Sequence, residues 1–285
     1  MTEAILCLAG LVVWAFILFR PSVRKQPACL APWPVSFSDF LACALFVVSG
    51  AFLLPLLVGI IVEWLSHRMP IGTDARRLVF GAATHLGAIV GAIGAWAYLR
   101  LQPRRATKPG QLDPTQNQIE RPSPTNTFPW PLAGVLTFFA VLPVTLLSTM
   151  ACYLIFQFLR LPMEPQETIE ILVRLKSRAL IVLFFALATV IAPIMEELVF
   201  RAGLFRYLRT RIPRSLAFLL PALLFAELHV GWKTLSGLNS LVPLVLLATV
   251  FSLAYERTGR IGVTMIAHAL FNLNTILLIM AGMPT

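Results

Sequence analysis

The sequence predicts an all-α, polytopic integral membrane protein with about eight transmembrane helices. Three observations carry that reading. Of 285 residues, 58% are hydrophobic and only 13% are charged, a balance that the core of a soluble protein this size could not hide. The apolar residues fall in long runs, not in the ~10-residue alternating segments of a membrane barrel. The runs have the length needed to cross a hydrocarbon core of about 30 Å. They cover 3–19, 38–64, 78–100, 130–156, 179–208, 215–230, 240–255 and 261–281. The sixth is short, which points to irregular or buried placement.

Each segment can be justified in turn. Ala4–Phe19 has no basic stretch before it and no small-residue cleavage site after it, so a retained helix is expected there. Loops around 20–25, 100–121, 206–214 and 257–260 carry more Lys and Arg than those around 68–77, 160–178 and 233, which favours an N-out orientation. The net charge of +10 is this loop bias. The basic residues form no patch interleaved with aromatics, so nucleic acid is not an expected partner. Cys7, Cys29, Cys43 and Cys152 lie far apart without a CxxC, which supports neither a disulfide framework nor a cysteine metal site. Residues 102–129 are polar and Pro-rich and read as a solvated linker. In 162–178, Ile169, Leu172 and Val173 oppose Glu167, Glu170 and Arg174, the pattern of a short interfacial helix that could gate substrate.

Ionisable residues inside the apolar half call for a functional explanation, because each costs about 2.5–3.5 kcal/mol at mid-bilayer. They are Glu196, Glu197, Arg201, Glu227, His229 and His268, joined by Asn272. At 3.6 residues per turn, Glu197 and Arg201 share a stripe and can pair, while Glu196 lies about 140° from Arg201 and is left to face a cavity. His268 and Asn272 face one way, one turn apart. Glu227 lies about 200° from His229, on the opposite face. His85, alone in the third run, reads as a buried hydrogen-bonding group without a role. Counted from the basic turn at 210–214, Glu196 and His229 both lie about 20 Å deep, and His268 and Asn272 lie about 12–18 Å from Arg260. Three helices thus deliver polar groups to one level, which implies a polar cavity within the membrane. Pro193 can kink the fifth helix there.

The stretches EELVFR (196–201), FAELH (225–229) and HALFN (268–272) resemble the EExxxR, FxxxH and HxxxN motifs of the CPBP family, the CAAX prenyl protease type II and bacteriocin-processing or self-immunity membrane proteins. The resemblance covers roughly 185–275. It divides the chain into 1–129, a three-helix membrane region plus the linker, and 130–285, a catalytic CPBP-like helical domain. It implies an intramembrane endopeptidase. Glu196, aided by His229, would activate water, His268 and Asn272 would stabilise the oxyanion, and Glu197 and Arg201 would hold the first motif in shape. Independently, peptide hydrolysis needs a base and donors aimed at a developing oxyanion, and no serine elbow or suitably placed cysteine offers another nucleophile.

No cofactor is expected. The alternative is Zn²⁺ on Glu196, His229 and His268, although HExxH is absent. Two other functions stay open: a non-catalytic self-immunity or scaffold protein, and a proton-coupled transporter, against which stands the lack of inverted repeats. Expected partners are the lipid bilayer and a membrane-associated protein or peptide, prenylated or a peptide precursor. The cell (inner) membrane is the expected location.

Overall fold

The computed structural model describes residues 2–20, 28–68, 71–102, 129–162, 167–230 and 235–282, with side chains omitted at 2–3, 167–170 and 235–237. Among them every regular element is helical. The helices are α1 (Thr2–Phe19), α2 (Phe37–Ser66), α3 (Thr73–Leu101), α4 (Trp130–Phe158), α5 (Glu167–Arg174), α6 (Arg178–Leu208), α7 (Arg214–Glu227), α8 (Leu241–Thr258) and α9 (Ile261–Met280). Six of these, α2, α3, α4, α6, α8 and α9, are long and apolar enough to cross a membrane. The chain is a multi-pass membrane protein. Two of the eight expected spans are not among these six. α1 is a shorter apolar helix, and α7 has 14 residues, about 21 Å of rise, too little for a ~30 Å hydrocarbon layer.

α4 is the central post. α1, α8 and α9 pack on it, and α7 packs on α8. Trp14 Nε1 donates to the Ala140 carbonyl at 2.8 Å and seats α1. The core joins Phe138 and Val141 of α4, Phe200 of α6, Phe225 of α7, Phe251 of α8 and Ala267 of α9. α3 lies along the length of α6. α2 stands outside the bundle: only 6% of its membrane window is buried, against 28–33% in the other five spans. Phe52, Leu56 and Ile60 point outward from it, an apolar surface suited to lipid.

Between two helices in lipid the attraction is close packing, because the surrounding tails are as apolar as the side chains. α2 and α3 meet through Gly50 and Gly87, where a Cβ on either would lie 2.1 Å from the other's carbonyl oxygen. The end of the molecule near 206–214 is tied by charge. Arg209 and Arg214 both bind the buried Glu256 carboxylate of α8, Arg214 Nη2 at 2.7 Å. Gly259 ends α8 in the left-handed region at φ 63°, and a Cβ there would sit 2.8 Å from the Cys29 carbonyl. The turns at 206–214 and 256–260 therefore share one end of the bundle, as the sequence predicts.

One other expectation changes. Within α5, Leu172 is buried against Leu78, Leu175, Phe184 and Ile276, whereas Val173 is 70% exposed. The inward face is Ile171, Leu172 and Leu175, set by packing on α6 and α9 and not by one apolar stripe. All four cysteines are free. The 102–129 linker falls almost wholly outside the described residues, as do Lys233 and the side chains of Glu167, Ile169 and Glu170.

Gly87→Val is expected to push α2 off α3 and destabilise the protein by about 1–3 kcal/mol, measured as a melting temperature several degrees lower in detergent. Gly72→Ala, where a Cβ meets nothing within 4 Å, should leave it unchanged.

Candidate active site

α6 is the element that builds the site, and its backbone is unusual where the first motif lies. The α-helix at Arg178–Ala186 passes into a π-helical turn at Leu187–Ile191, returns to α at Ala192–Glu197, and becomes π-helical again at Leu198–Phe205. Such bulges commonly mark functional sites. Where the sequence leads one to expect a kink at Pro193, there is a change of register. The Ala192 N–H bonds the Leu187 carbonyl five residues back. In that register the Ala188 carbonyl would take the N–H of residue 193, and proline has none. Asn272 of α9 supplies the missing donor, Nδ2 to Ala188 O at 2.8 Å.

The π turns and the α segment between them present both glutamates inward. Glu197 is fully buried and Arg201 is 1% exposed; Arg201 Nη1 lies 3.1 Å from Glu197 Oε1. The guanidinium is also held 4.8 Å from the Phe225 ring and 5.5 Å from that of Phe251, and Nη2 reaches the Ala248 carbonyl at 3.4 Å. The pairing read from the i,i+4 spacing is therefore present. It has a third member: His268 Nδ1 bonds Glu197 Oε1 at 3.0 Å. Glu197 thus orients an imidazole as well as neutralising an arginine.

Glu196 lies off this stripe and lines a cavity of about 620 Å³ with His229, His268 and Asn272. His268 Nε2 is 3.5 Å from Glu196 Oε2, and His229 Nε2 is 3.6 Å from Oε1. Beyond the polar floor the cavity wall is largely apolar, with Leu78, Leu172, Phe184, Leu187, Ile276 and Ile279 lining it. His229 sits just past the end of α7. Because α7 stops at Glu227, its last residues reach only partway through the bundle, and His229 arrives at the level of Glu196. Phe225 supports it twice, through a carbonyl that accepts from His229 Nδ1 at 2.7 Å and a ring 4.5 Å from the imidazole. Among the described groups none donates a hydrogen bond to Glu196 Oε2, so that oxygen keeps its acceptor capacity.

The structure thus brings Glu196, Glu197, Arg201, His229 and His268 into direct contact in one cluster. Asn272 shares the cavity but is anchored to Ala188. Glu227 is exposed and absent from the cavity wall. One residue corrects the sequence reading: His85, taken to have no role, lies with Nε2 3.9 Å from Glu196 Oε1. The signal that could have found it is depth. Counted from the basic loop that begins at Arg100, on the same side as 206–214, His85 lies 15 residues in, about 22 Å along α3, level with the others.

The imidazole Nε2 atoms aim at the carboxylate oxygens themselves, and among the described residues no group of three or more His, Cys, Asp or Glu side chains is placed to hold a metal ion.

A helical bundle with an ionisable cluster buried at the floor of an apolar cavity defines a multi-pass membrane protein with an intramembrane candidate active site. Residues 178–274 match the family model described as type II CAAX prenyl endopeptidase Rce1-like. The chain therefore carries an Rce1-like domain, consistent with a CPBP family intramembrane protease. The match spans about a third of the chain and contains all three motifs, 196–201, 225–229 and 268–272; His85 lies outside it. No curated protein and no solved structure matches the chain.

Two stability effects follow. Arg201→Gln leaves the Glu197 carboxylate buried without its cation and should cost about 3–5 kcal/mol. Asn272→Ala orphans the Ala188 carbonyl and should cost about 1–3 kcal/mol. Thermal unfolding of the purified protein in detergent checks both, and Asn272→Asp, which lacks the donating amide, should behave like the alanine variant.

Proposed function

We propose that this protein is a membrane endopeptidase in which Glu196 activates a water molecule to hydrolyse a peptide bond of a membrane-associated substrate. The observation that carries the reading is the Glu196 carboxylate held 3.6 Å and 3.5 Å from the imidazoles of His229 and His268 at the floor of a largely apolar cavity.

In this reading Glu196 accepts a proton from water while the water oxygen bonds to the scissile carbonyl carbon. The carbonyl electron pair moves onto its oxygen. That oxyanion accepts hydrogen bonds from Nε2–H of His268 and from the second amide hydrogen of Asn272. Collapse of the intermediate breaks the C–N bond, and the proton taken by Glu196, passed with the help of His229, goes to the leaving nitrogen. His229 is suited to this because its Nδ1–H is committed to the Phe225 carbonyl, which leaves Nε2 to handle protons. Glu197 accepts from His268 Nδ1, which leaves the Nε2 side of that imidazole facing the cavity.

The reaction proceeds without a metal. The apolar wall suits a substrate with a lipidated or strongly apolar segment, such as a prenylated protein or a membrane-bound precursor, and the site would act within the cell membrane.

Glu196→Gln and His229→Ala are each expected to lower cleavage by at least about 10²-fold at unchanged protein yield, and a chelator should leave wild-type activity intact. The measurement is quantitative labelling of new N-termini in membranes from wild-type and variant cells, which reports substrate and activity together. Full cleavage by either variant would refute the mechanism.

A further inference from the structure

We propose that His85 is a positioning residue for the Glu196 carboxylate, so that the site is completed by a helix outside the Rce1-like domain. The inference rests on the reading of Glu196 as the base. Its geometric grounds are the close equivalence of His85 and His229. Each imidazole is pinned through Nδ1 to the carbonyl four residues back on its own chain segment, Gly81 O and Phe225 O, both at 2.7 Å. Each therefore turns Nε2 away from its own helix, and both Nε2 atoms face the same oxygen, Glu196 Oε1, at 3.9 and 3.6 Å. Each side chain is partly open to the cavity, 23% and 30% exposed. His268 takes the other oxygen, Oε2, with its Nδ1 likewise pinned, by Glu197. Three imidazole Nε2 atoms thus surround the carboxylate at 3.5–3.9 Å, two nearest one oxygen and one nearest the other.

A histidine bonded only for its own solvation needs one acceptor, and Gly81 already provides it. The approach of Nε2 to Oε1 is additional, and the packing of α3 fixes it. Gly87, half a turn beyond His85, locks the far side of α3 against Gly50, while the near side lies along α6 through both π turns and the α segment that carries Glu196. A carboxylate free to rotate about its last bond would spread its lone pairs over many directions. Clamping Oε1 between His85 and His229 fixes the plane of the group and so the direction in which it meets water. That is the role an outer partner plays in orienting a reactive group.

The test uses the full chain in phosphatidylethanolamine–phosphatidylglycerol vesicles and an internally quenched farnesylated peptide ending in Cys-aliphatic-aliphatic-X. His85→Ala should lower kcat about 10- to 100-fold with KM within about twofold. His85→Gln, whose amide can still reach Glu196, should recover most of the loss. An unchanged kcat in His85→Ala, or a raised KM with unchanged kcat, overturns the proposal. A second arm needs no substrate: melting temperatures of His85→Gln, Glu196→Gln and the double variant in detergent. The shifts should be non-additive, as for residues in one network, and additive shifts overturn the proposal. If the wild type leaves the peptide uncut while the shifts are non-additive, the positioning contact stands and the proteolytic reading fails for this substrate class.

Discussion

The buried ion pair between Glu197 and Arg201 is the constraint on which the rest of the site depends. A lone carboxylate at this depth would be expelled or neutralised. Arg201 removes that penalty for Glu197, and two aromatic rings and a backbone carbonyl hold the guanidinium in place. With its charge balanced, Glu197 can accept from His268 and fix which ring nitrogen faces the cavity. Glu196, one residue earlier, is then free of structural duty. Adjacent identical residues acquire different jobs because a helix turns by about 100° between them.

Backbone and side chains cooperate in the same region. Regular α-helix through 187–205 would rotate the two glutamates and Arg201 relative to α3, α8 and α9. The π turns insert extra backbone and change that rotation, at the cost of weaker hydrogen bonding. The half-length α7 works to a similar end. By stopping within the bundle it delivers His229 from its tip, where the imidazole folds back on Phe225. The tie between Glu256 and the two arginines sets the near end of α6, α7 and α8 in common, so the depth of each motif is counted from a shared origin.

Much of this was legible in the sequence, for a definite reason. Helical periodicity is local, so the pairing of Glu197 with Arg201, the separation of Glu196 from that stripe and the common face of His268 and Asn272 can be read from spacing alone. Depth is nearly as simple, because rise per residue is constant. What was not legible is tertiary. That α3 lies along α6, bringing His85 to the carboxylate, depends on packing between segments more than a hundred residues apart. The contact of His268 with Glu197 as well as Glu196 requires the rotation of α9 relative to α6. That the helix expected over 215–230 stops at Glu227 reflects where it ends in the bundle, and Val173 turns outward because α5 docks through Ile171 and Leu172 on a surface the sequence does not name.

The bond between Asn272 and the Ala188 carbonyl has a consequence for how such a chain can change over time. The asparagine answers a vacancy that exists only because residue 193 is a proline in a π-helical register. Replacing the proline would give that carbonyl a backbone partner and release the amide, while replacing the asparagine first would strand the carbonyl. The two positions, on different helices, are therefore coupled in their order of substitution, and a lineage that relaxes one acquires a new side-chain orientation in the cavity before it acquires any new residue there.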